Sequence, residues 1–210
     1  MKPFLLVLSS PSGGGKTSIA KNLLQARDDL GYSVSATTRP MREGEKDGVD
    51  YHFISRQEFL RRREAGEFLE SAEYAGQLYG TLRSEIERLF ARGRHAVLDI
   101  EIEGARQIRR TFPNSLHLFV LPPSAEVLVG RLRGRNTEPP EVVRQRITHA
   151  AAELDAVQEY DYVIVNDNLV LAVAQGAAIL DAESRRVSRQ ELAPFIERLK
   201  RDVVETASRM

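Results

Sequence analysis

The sequence of 210 residues contains no cysteine. That absence excludes a disulfide framework, a thiolate zinc site and a cysteine nucleophile, and it fits a reducing cytosol, so a cytoplasmic location is expected. Net charge is missing as well. Lys+Arg and Asp+Glu each number 30, and the isoelectric point is near 6.9. A balanced total argues against a generic nucleic-acid coat, and no nucleic-acid partner is expected. Long apolar runs are lacking too. The run from Phe4 to Leu8 is too short for a signal-peptide core or a bilayer span, so no membrane association is expected. His52, His95, His117 and His149 show no metal-ligand spacing, and there are no repeats and no low-complexity segment. What remains, 42% hydrophobic and 29% charged, is the composition of a globular chain with one substantial core.

Against this background one stretch stands out: Ser10-Pro11-Ser12-Gly13-Gly14-Gly15-Lys16-Thr17. It follows the apolar run and precedes a helical pattern at Ile19, Ala20, Leu23 and Leu24. Strand, glycine-rich loop and Lys-Thr opening a helix form the context of a phosphate-binding loop. Glycines let successive N–H groups converge on a polyphosphate, and the helix N-terminus adds unpaired donors and a positive dipole end. Lys16 can reach β- and γ-phosphates, and the Thr17 hydroxyl can hold Mg²⁺. The strict motif wants glycine where Ser10 stands; the spacing from Gly13 to Thr17 is intact.

Along the chain, strand and helix signals alternate, which implies an α/β protein with a mostly parallel sheet flanked by helices. Strands are predicted at Phe4–Ser9, Tyr32–Ala36, His95–Ile100, Leu116–Leu121 and Tyr162–Asn166. Helices are predicted from Thr17 to about Leu30, where Gly31 would end the helix, and over Arg56–Ala65, Arg83–Arg92 and Gly104–Phe112. Further helices are predicted from Ser124, a plausible N-cap, into Arg131-Leu132-Arg133-Gly134-Arg135, and over Glu141–Glu159, Leu169–Ala182 and Arg189–Ala207. Residues 37–52 are polar and broken by Pro and Gly, and Phe68–Glu70 with Tyr74–Tyr79 read as short strands around turns. Residues of roughly 35 to 82 thus look like a small β-rich insertion. Asp99, Glu101 and Glu103 cluster at the end of a core strand, where such an enzyme can place an acid towards Mg²⁺ or its waters.

A phosphate-binding loop alone does not separate ATPases, GTPases and kinases. The remaining motifs do more. Val34-Ser35-Ala36-Thr37-Thr38-Arg39-Pro40, then Arg42, Gly48-Val49-Asp50-Tyr51, Glu70 and Tyr79-Gly80-Thr81 come first. Leu98-Asp99-Ile100-Glu101, Arg131 to Arg135, Ile164-Val165-Asn166-Asp167 and the tail around Ser188-Arg189-Gln190 follow in order. Together they resemble the guanylate kinase family of bacterial type, over nearly the whole length.

The resemblance implies a nucleoside monophosphate kinase fold in three parts. A core comprises 1–34, 83–124 and 151–210; 35–82 is a GMP-binding segment; 125–150 is a helical lid. It implies that ATP binds at Ser10 to Thr17 and Asn166, the latter together with Asp167, and that Mg²⁺ is held at Thr17 and Asp99. Ser35, Glu70 and Thr81 would recognise guanine, whose N1–H and N2 amine are adjacent donors suited to a carboxylate. Arg39, Arg42, Tyr51 and Tyr79 would hold the GMP phosphate, and Asp99 and Glu101 would complete the GMP site. Many relatives carry Asp where Glu101 stands, and Gly where Asn136 stands. Lys16, Arg39, Arg131, Arg135 and Arg146 would neutralise charge during phosphoryl transfer. Arg131 and Arg135 share a helix face if that helix continues through Gly134.

The implied reaction is ATP plus GMP giving ADP and GDP, with dGMP also an acceptor. The partners are then the nucleotides, and the oligomeric state stays open. Two rivals are a kinase for another phosphorylated acceptor, such as a ribose bisphosphate, and a non-catalytic protein-binding module. The carboxylate at Glu70 argues against the first, and retention of Lys16 and Thr17 against the second.

Overall fold

A computed structural model describes residues 2–74, 76–133 and 140–209. In chain order, β1 (Leu5–Ser9) leads through the glycine loop into α1 (Lys16–Ala26), followed by β2 (Leu30–Tyr32). β3 (Ala36–Thr37), β4 (His52–Phe53), α2 (Arg56–Glu64), β5 (Phe68–Tyr74) and β6 (Gln77–Leu82) come next. α3 (Arg83–Ala91), β7 (His95–Asp99), α4 (Ile102–Thr111), β8 (Leu116–Leu121) and α5 (Ala125–Arg133) follow. The chain closes with α6 (Pro140–Glu153), β9 (Tyr162–Val165), α7 (Leu169–Ser184) and α8 (Ala193–Ser208).

Five strands form one sheet in the order β2-β7-β1-β8-β9, and every neighbouring pair is parallel. A parallel sheet must be covered on both faces, which is why β1 is apolar at consecutive positions rather than at alternate ones. Leu6 and Leu8 face α1 and α7 through Ile19, Leu23, Ala172 and Leu180. Leu5 and Val7 face α3 and α4 through Ile86, Leu89, Ala105 and Ile108. Leu5, Leu6 and Leu8 are each 0% exposed. Burying each contributes about 1.5–3 kcal/mol, enough to make the root of the glycine loop a fixed platform. The C-terminal ends of β1, β7 and β8 lie side by side, and the loops that leave them open onto one edge, where ligands of open α/β sheets bind.

A second, four-stranded sheet, β4-β3-β6-β5, is built from residues 36–82 around Ala36, Phe59, Phe68, Leu78 and Leu82. β5 and β6 form an antiparallel hairpin with a register irregularity between Phe68 and Glu70. Phe59 stacks on Phe68 with ring centroids 4.4 Å apart. Among the described residues no helix is long and apolar enough to cross a membrane.

Several boundaries differ from the sequence reading. α1 stops at Ala26, and Gly31 lies inside β2 instead of capping the helix. A Cβ there would come within 2.3 Å of Leu89 Cδ2, so close packing on α3, not a turn, demands the glycine. The alternating stretch 32–36 is not one strand: Tyr32 ends β2 in the large sheet and Ala36 starts β3 in the small one. The helix predicted over 141–159 runs from Pro140 to Glu153 and tightens into a 3₁₀ segment at Leu154–Glu159. Arg189 does not open the last helix. It is buried, pairs with Glu183 at 2.8 Å and lies 4.1 Å from the centre of the Phe4 ring, so tertiary packing overrides the local helical pattern.

Candidate active site

The loop after β1 turns sharply at Gly13 and Gly15, whose φ angles are +84° and +96°. Gly15 caps α1 in a left-handed conformation, and a Cβ there would stand 2.3 Å from Asn166 Nδ2. Ser10 fills the position of the motif's first glycine; it is buried, and its hydroxyl donates to the Pro11 carbonyl at 2.9 Å. Gly14 N–H donates to the Pro11 carbonyl at 2.8 Å, and Ser12 N–H donates to Glu153 Oε2 at 2.9 Å. The N–H groups of Gly13, Gly15, Lys16 and Thr17 bond to nothing among the described residues. They form a cluster of donors at a helix N-terminus, which is an anion site by construction.

Lys16 Nζ lies 3.4 Å from Asp99 Oδ1 and 3.2 Å from Glu101 Oε1. Burial pulls the lysine pKa down, but the two carboxylates more than offset it, and the ammonium is held charged above its usual range. Thr17 Oγ1 donates to Asp99 Oδ2 at 2.6 Å. Asp99 closes β7 and Glu101 precedes α4, so adjacent parallel strands carry the loop and its acids.

A cavity of about 430 Å³ lies on one side of the loop, lined by Ser10, Gly13, Gly15, Arg131, Asn166 and Asp167 along with Lys16 and Thr17. Arg131 donates to the Gly14 carbonyl at 3.1 Å and to the Asn166 carbonyl at 3.2 Å. A second cavity, of about 220 Å³, lies between the two sheets. Its walls include Ser35, Arg39, Arg42, Tyr51, Glu70, Tyr79, Asp99 and Glu101, and again Lys16 and Thr17. The two hollows therefore share one wall.

Arg39 is clasped by Glu45, with Nη2 to Oε1 at 2.7 Å and Nη1 to Oε2 at 3.0 Å, and its guanidinium stands 5.3 Å from the centre of the Tyr51 ring. Burial raises the Tyr51 hydroxyl above its usual pKa, keeping it a neutral donor. Glu70 is 5% exposed, and its Oε1 accepts from Thr81 Oγ1 at 2.7 Å. Burial pushes its carboxyl up to about 7, although the Thr81 bonds pull the other way. Thr81 is fully buried beneath Glu70 and reaches the cavity only through it.

Of the predicted site residues that the structure describes, all but Pro11, Ser12, Gly14, Thr81 and Arg146 line one or both of the two cavities. Arg146 instead donates to Ser12 Oγ of the loop at 3.3 Å. Arg135, Gly134 and Asn136 lie outside the described residues. Three residues that sequence reasoning passed over belong to the site. Glu45 holds Arg39; Gly104 abuts Glu70; Glu153 reaches Ser12. Only Gly104 left a legible signal, as a glycine early in a predicted helix. The histidines form no cluster, and His95 and His117 are buried in the core.

The loop implies a divalent cation, and the residues beside it bear on that. Thr17 and Asp99 bring two hard oxygens together, and Asp99 Oδ1 is buried with no hydrogen bond, facing the Lys16 ammonium 3.4 Å away. Among the described residues no group of three or more His, Cys, Asp or Glu side chains could hold a metal ion. Two oxygens with room for phosphates and water suit Mg²⁺, which keeps most of its shell from those sources.

Comparison with known proteins agrees with this geometry. A family model described as guanylate kinase matches residues 2–183. The guanylate kinase of Symbiobacterium thermophilum is 47% identical over 192 residues, covering 91% of each chain. That of Thermotoga maritima is 44% identical over 203 residues, covering 97% of each. A crystal structure of guanylate kinase from Anaplasma phagocytophilum superposes with a TM-score of 0.75 at 36% identity, covering 90% of both chains. Phosphate loop, paired cavities and relatives converge, and the chain belongs to the guanylate kinase family.

Proposed function

We propose that this chain transfers the γ-phosphate of ATP to GMP, giving ADP and GDP, with dGMP as a further acceptor. The observation that carries the reading is the shared wall: Lys16 and Thr17 line both cavities, so a donor and an acceptor seated on either side meet at the loop. ATP occupies the cavity of Gly13, Gly15, Arg131 and Asn166. GMP occupies the other, with guanine on Ser35 and on Glu70, which Thr81 holds from beneath, and its phosphate on Arg39, Arg42, Tyr51 and Tyr79.

Guanine recognition follows from Glu70. Its carboxylate accepts from N1–H and the N2 amine, whereas adenine offers no such donor pair and leaves the buried acid unmatched. The acceptor oxygen is already an anion, so no general base is required. Catalysis is then positioning and charge neutralisation. The free N–H groups of the loop and Lys16 hold the phosphates, and Lys16 moves from Asp99 and Glu101 onto the transferring group. Arg39, Arg131, Arg135 and Arg146 supply further positive charge as the segment 125–150 closes as a lid over the core, excluding water. Mg²⁺ held at Thr17 and Asp99 would neutralise β- and γ-phosphate oxygens. The segment 35–82 acts as the GMP-binding unit, and a cytoplasmic setting, where both nucleotides are available, completes the proposal.

The test is a coupled ADP-release assay with ATP and Mg²⁺, comparing GMP, dGMP, AMP, UMP and no acceptor. ADP formation that depends on GMP and stays weak with AMP supports the reading. Release indifferent to the acceptor overturns it in favour of an ATPase. Activity only with another phosphorylated sugar would indicate a different kinase, and GMP binding without turnover a binding module.

A further inference from the structure

We propose that Glu153 is a positioning residue that registers the lid helix on the phosphate loop and thereby places Arg146. The inference rests on the kinase reading above, in which Arg146 acts on the transferring phosphate.

Glu153 is the last residue of α6, where a negative charge opposes the helix dipole. Its side chain is only 10% exposed, and burial, helped by the nearby Glu101, raises its carboxyl above the usual range. Neither helix stability nor solvation explains an acid there. Its contacts do. Oε2 accepts the Ser12 N–H at 2.9 Å, and Oε1 lies 3.1 Å from His149 Nε2.

Arg146, His149 and Glu153 are spaced 3 and 4 residues apart, so they share one face of α6. Arg146 donates to the hydroxyl of the same Ser12 at 3.3 Å. The helix therefore grips one residue of the loop at two points, backbone through Glu153 and side chain through Arg146. The second sheet joins the same junction. Tyr74, at the end of β5, comes up beside α6 there, its ring centroid 6.2 Å from that of His149. Loop and lid helix meet at Ser12, with the hairpin alongside the helix.

Two consequences follow. With Ser12 N–H held by Glu153 and Gly14 N–H by Pro11, the remaining loop amides are the ones left for phosphate. And because Glu153 fixes the base of α6 against the loop, Arg146 two turns earlier is carried to a set distance from it.

The experiment is steady-state kinetics on Glu153→Ala, Glu153→Gln and Glu153→Asp in the full chain, with a double-mutant cycle against Arg146→Ala. Glu153→Ala should lower kcat about tenfold while leaving KM for GMP within about twofold, the signature of misplaced charge in the transition state. Glu153→Gln keeps an oxygen for the Ser12 N–H and should recover to within about threefold of the parent. In the Arg146→Ala background, Glu153→Ala should cost less than about twofold more. If Glu153→Ala fails to fold, Glu153→Asp replaces it; its carboxylate keeps the charge, is drawn back from Ser12 and should reproduce the loss. Unchanged kcat in Glu153→Ala, or a lower KM for ATP, overturns the inference, the latter because the carboxylate would then be a competitor of phosphate. An impaired Arg146→Ala with an undiminished Glu153 effect overturns this inference alone. Full activity of Arg146→Ala overturns the role of Arg146 first and this inference with it.

Discussion

Gly104 has no side chain because Glu70 occupies the space where one would begin: a Cβ on Gly104 would stand 2.5 Å from Glu70 Oε2. The clash would fall on the movable end of a carboxylate, not on backbone, so a substitution displaces the acid and spares the fold. Gly104→Ala should leave the melting temperature unchanged or raise it, since alanine in a helix is favoured over glycine by about 1 kcal/mol. The kcat/KM for GMP should nevertheless fall about tenfold or more, because a carboxylate shifted by an ångström no longer meets two donors. Kinetics and a thermal melt on the same preparation check both halves.

Glu70 itself gives a pH signature. Its folded pKa of about 7 lies above the ordinary 4.5, so the folded chain binds more protons than the unfolded one between those values. Stability from this group is fully present below about 4.5 and is lost as pH rises towards 7, by about 3 kcal/mol for a shift of this size. Glu70→Gln should flatten that slope in denaturant titrations across the window.

The same acid should divide the two substrates. Glu70→Ala should reduce kcat/KM for GMP by about 10² or more while ATP affinity measured by calorimetry changes little. Equal losses for both nucleotides would contradict the assignment of Glu70 to guanine.

Removing the Lys16 ammonium has a double effect. It takes charge from the phosphates and leaves Asp99 and Glu101 facing each other's field without a cation between them. Lys16→Ala should lower kcat by about 10²–10³, the range for losing one oriented charge donor at a transition state. Single-turnover measurements at saturating ATP separate that loss from weakened binding.

Chelation of divalent cations should abolish turnover, and Mg²⁺ should restore it. Asp99→Asn, which keeps a hydrogen-bond acceptor for Thr17 and removes the charge, should raise the Mg²⁺ concentration for half-activity about tenfold. A titration of rate against Mg²⁺ for both proteins reads the difference directly.

The sequence was most legible where function is written in consecutive residues. Ser10 to Thr17 revealed the loop because strand, glycines and Lys-Thr are contiguous, and β1, β7 and β8 were legible as apolar runs of strand length. Legibility failed where the chain meets itself at a distance. Glu153 and Ser12 are 141 residues apart, and nothing in either neighbourhood signals the other. The stretch 32–36 has the alternation of a strand yet divides between two sheets, a decision made by partners elsewhere. Arg189 carries a helix-compatible pattern that loses to a buried ion pair with Glu183. Glu45 reads as one more polar loop residue until Arg39 is seen in its grip.

The unequal build of the two sheets has a mechanical consequence. The large sheet holds β1 between β7 and β8 by ladders on both sides, under apolar cover on both faces. In the small sheet β3 and β4 are two residues long, and its interior is one modest cluster. Opening such a patch costs far less than opening the central strands. The shared wall of the two cavities thus behaves as the fixed jaw of a vise, and the hairpin side as the jaw that travels. Amides of Leu6 to Leu8 should then be among the last in the molecule to exchange with deuterium, and those of Thr37 and Phe53 among the first of the strand amides.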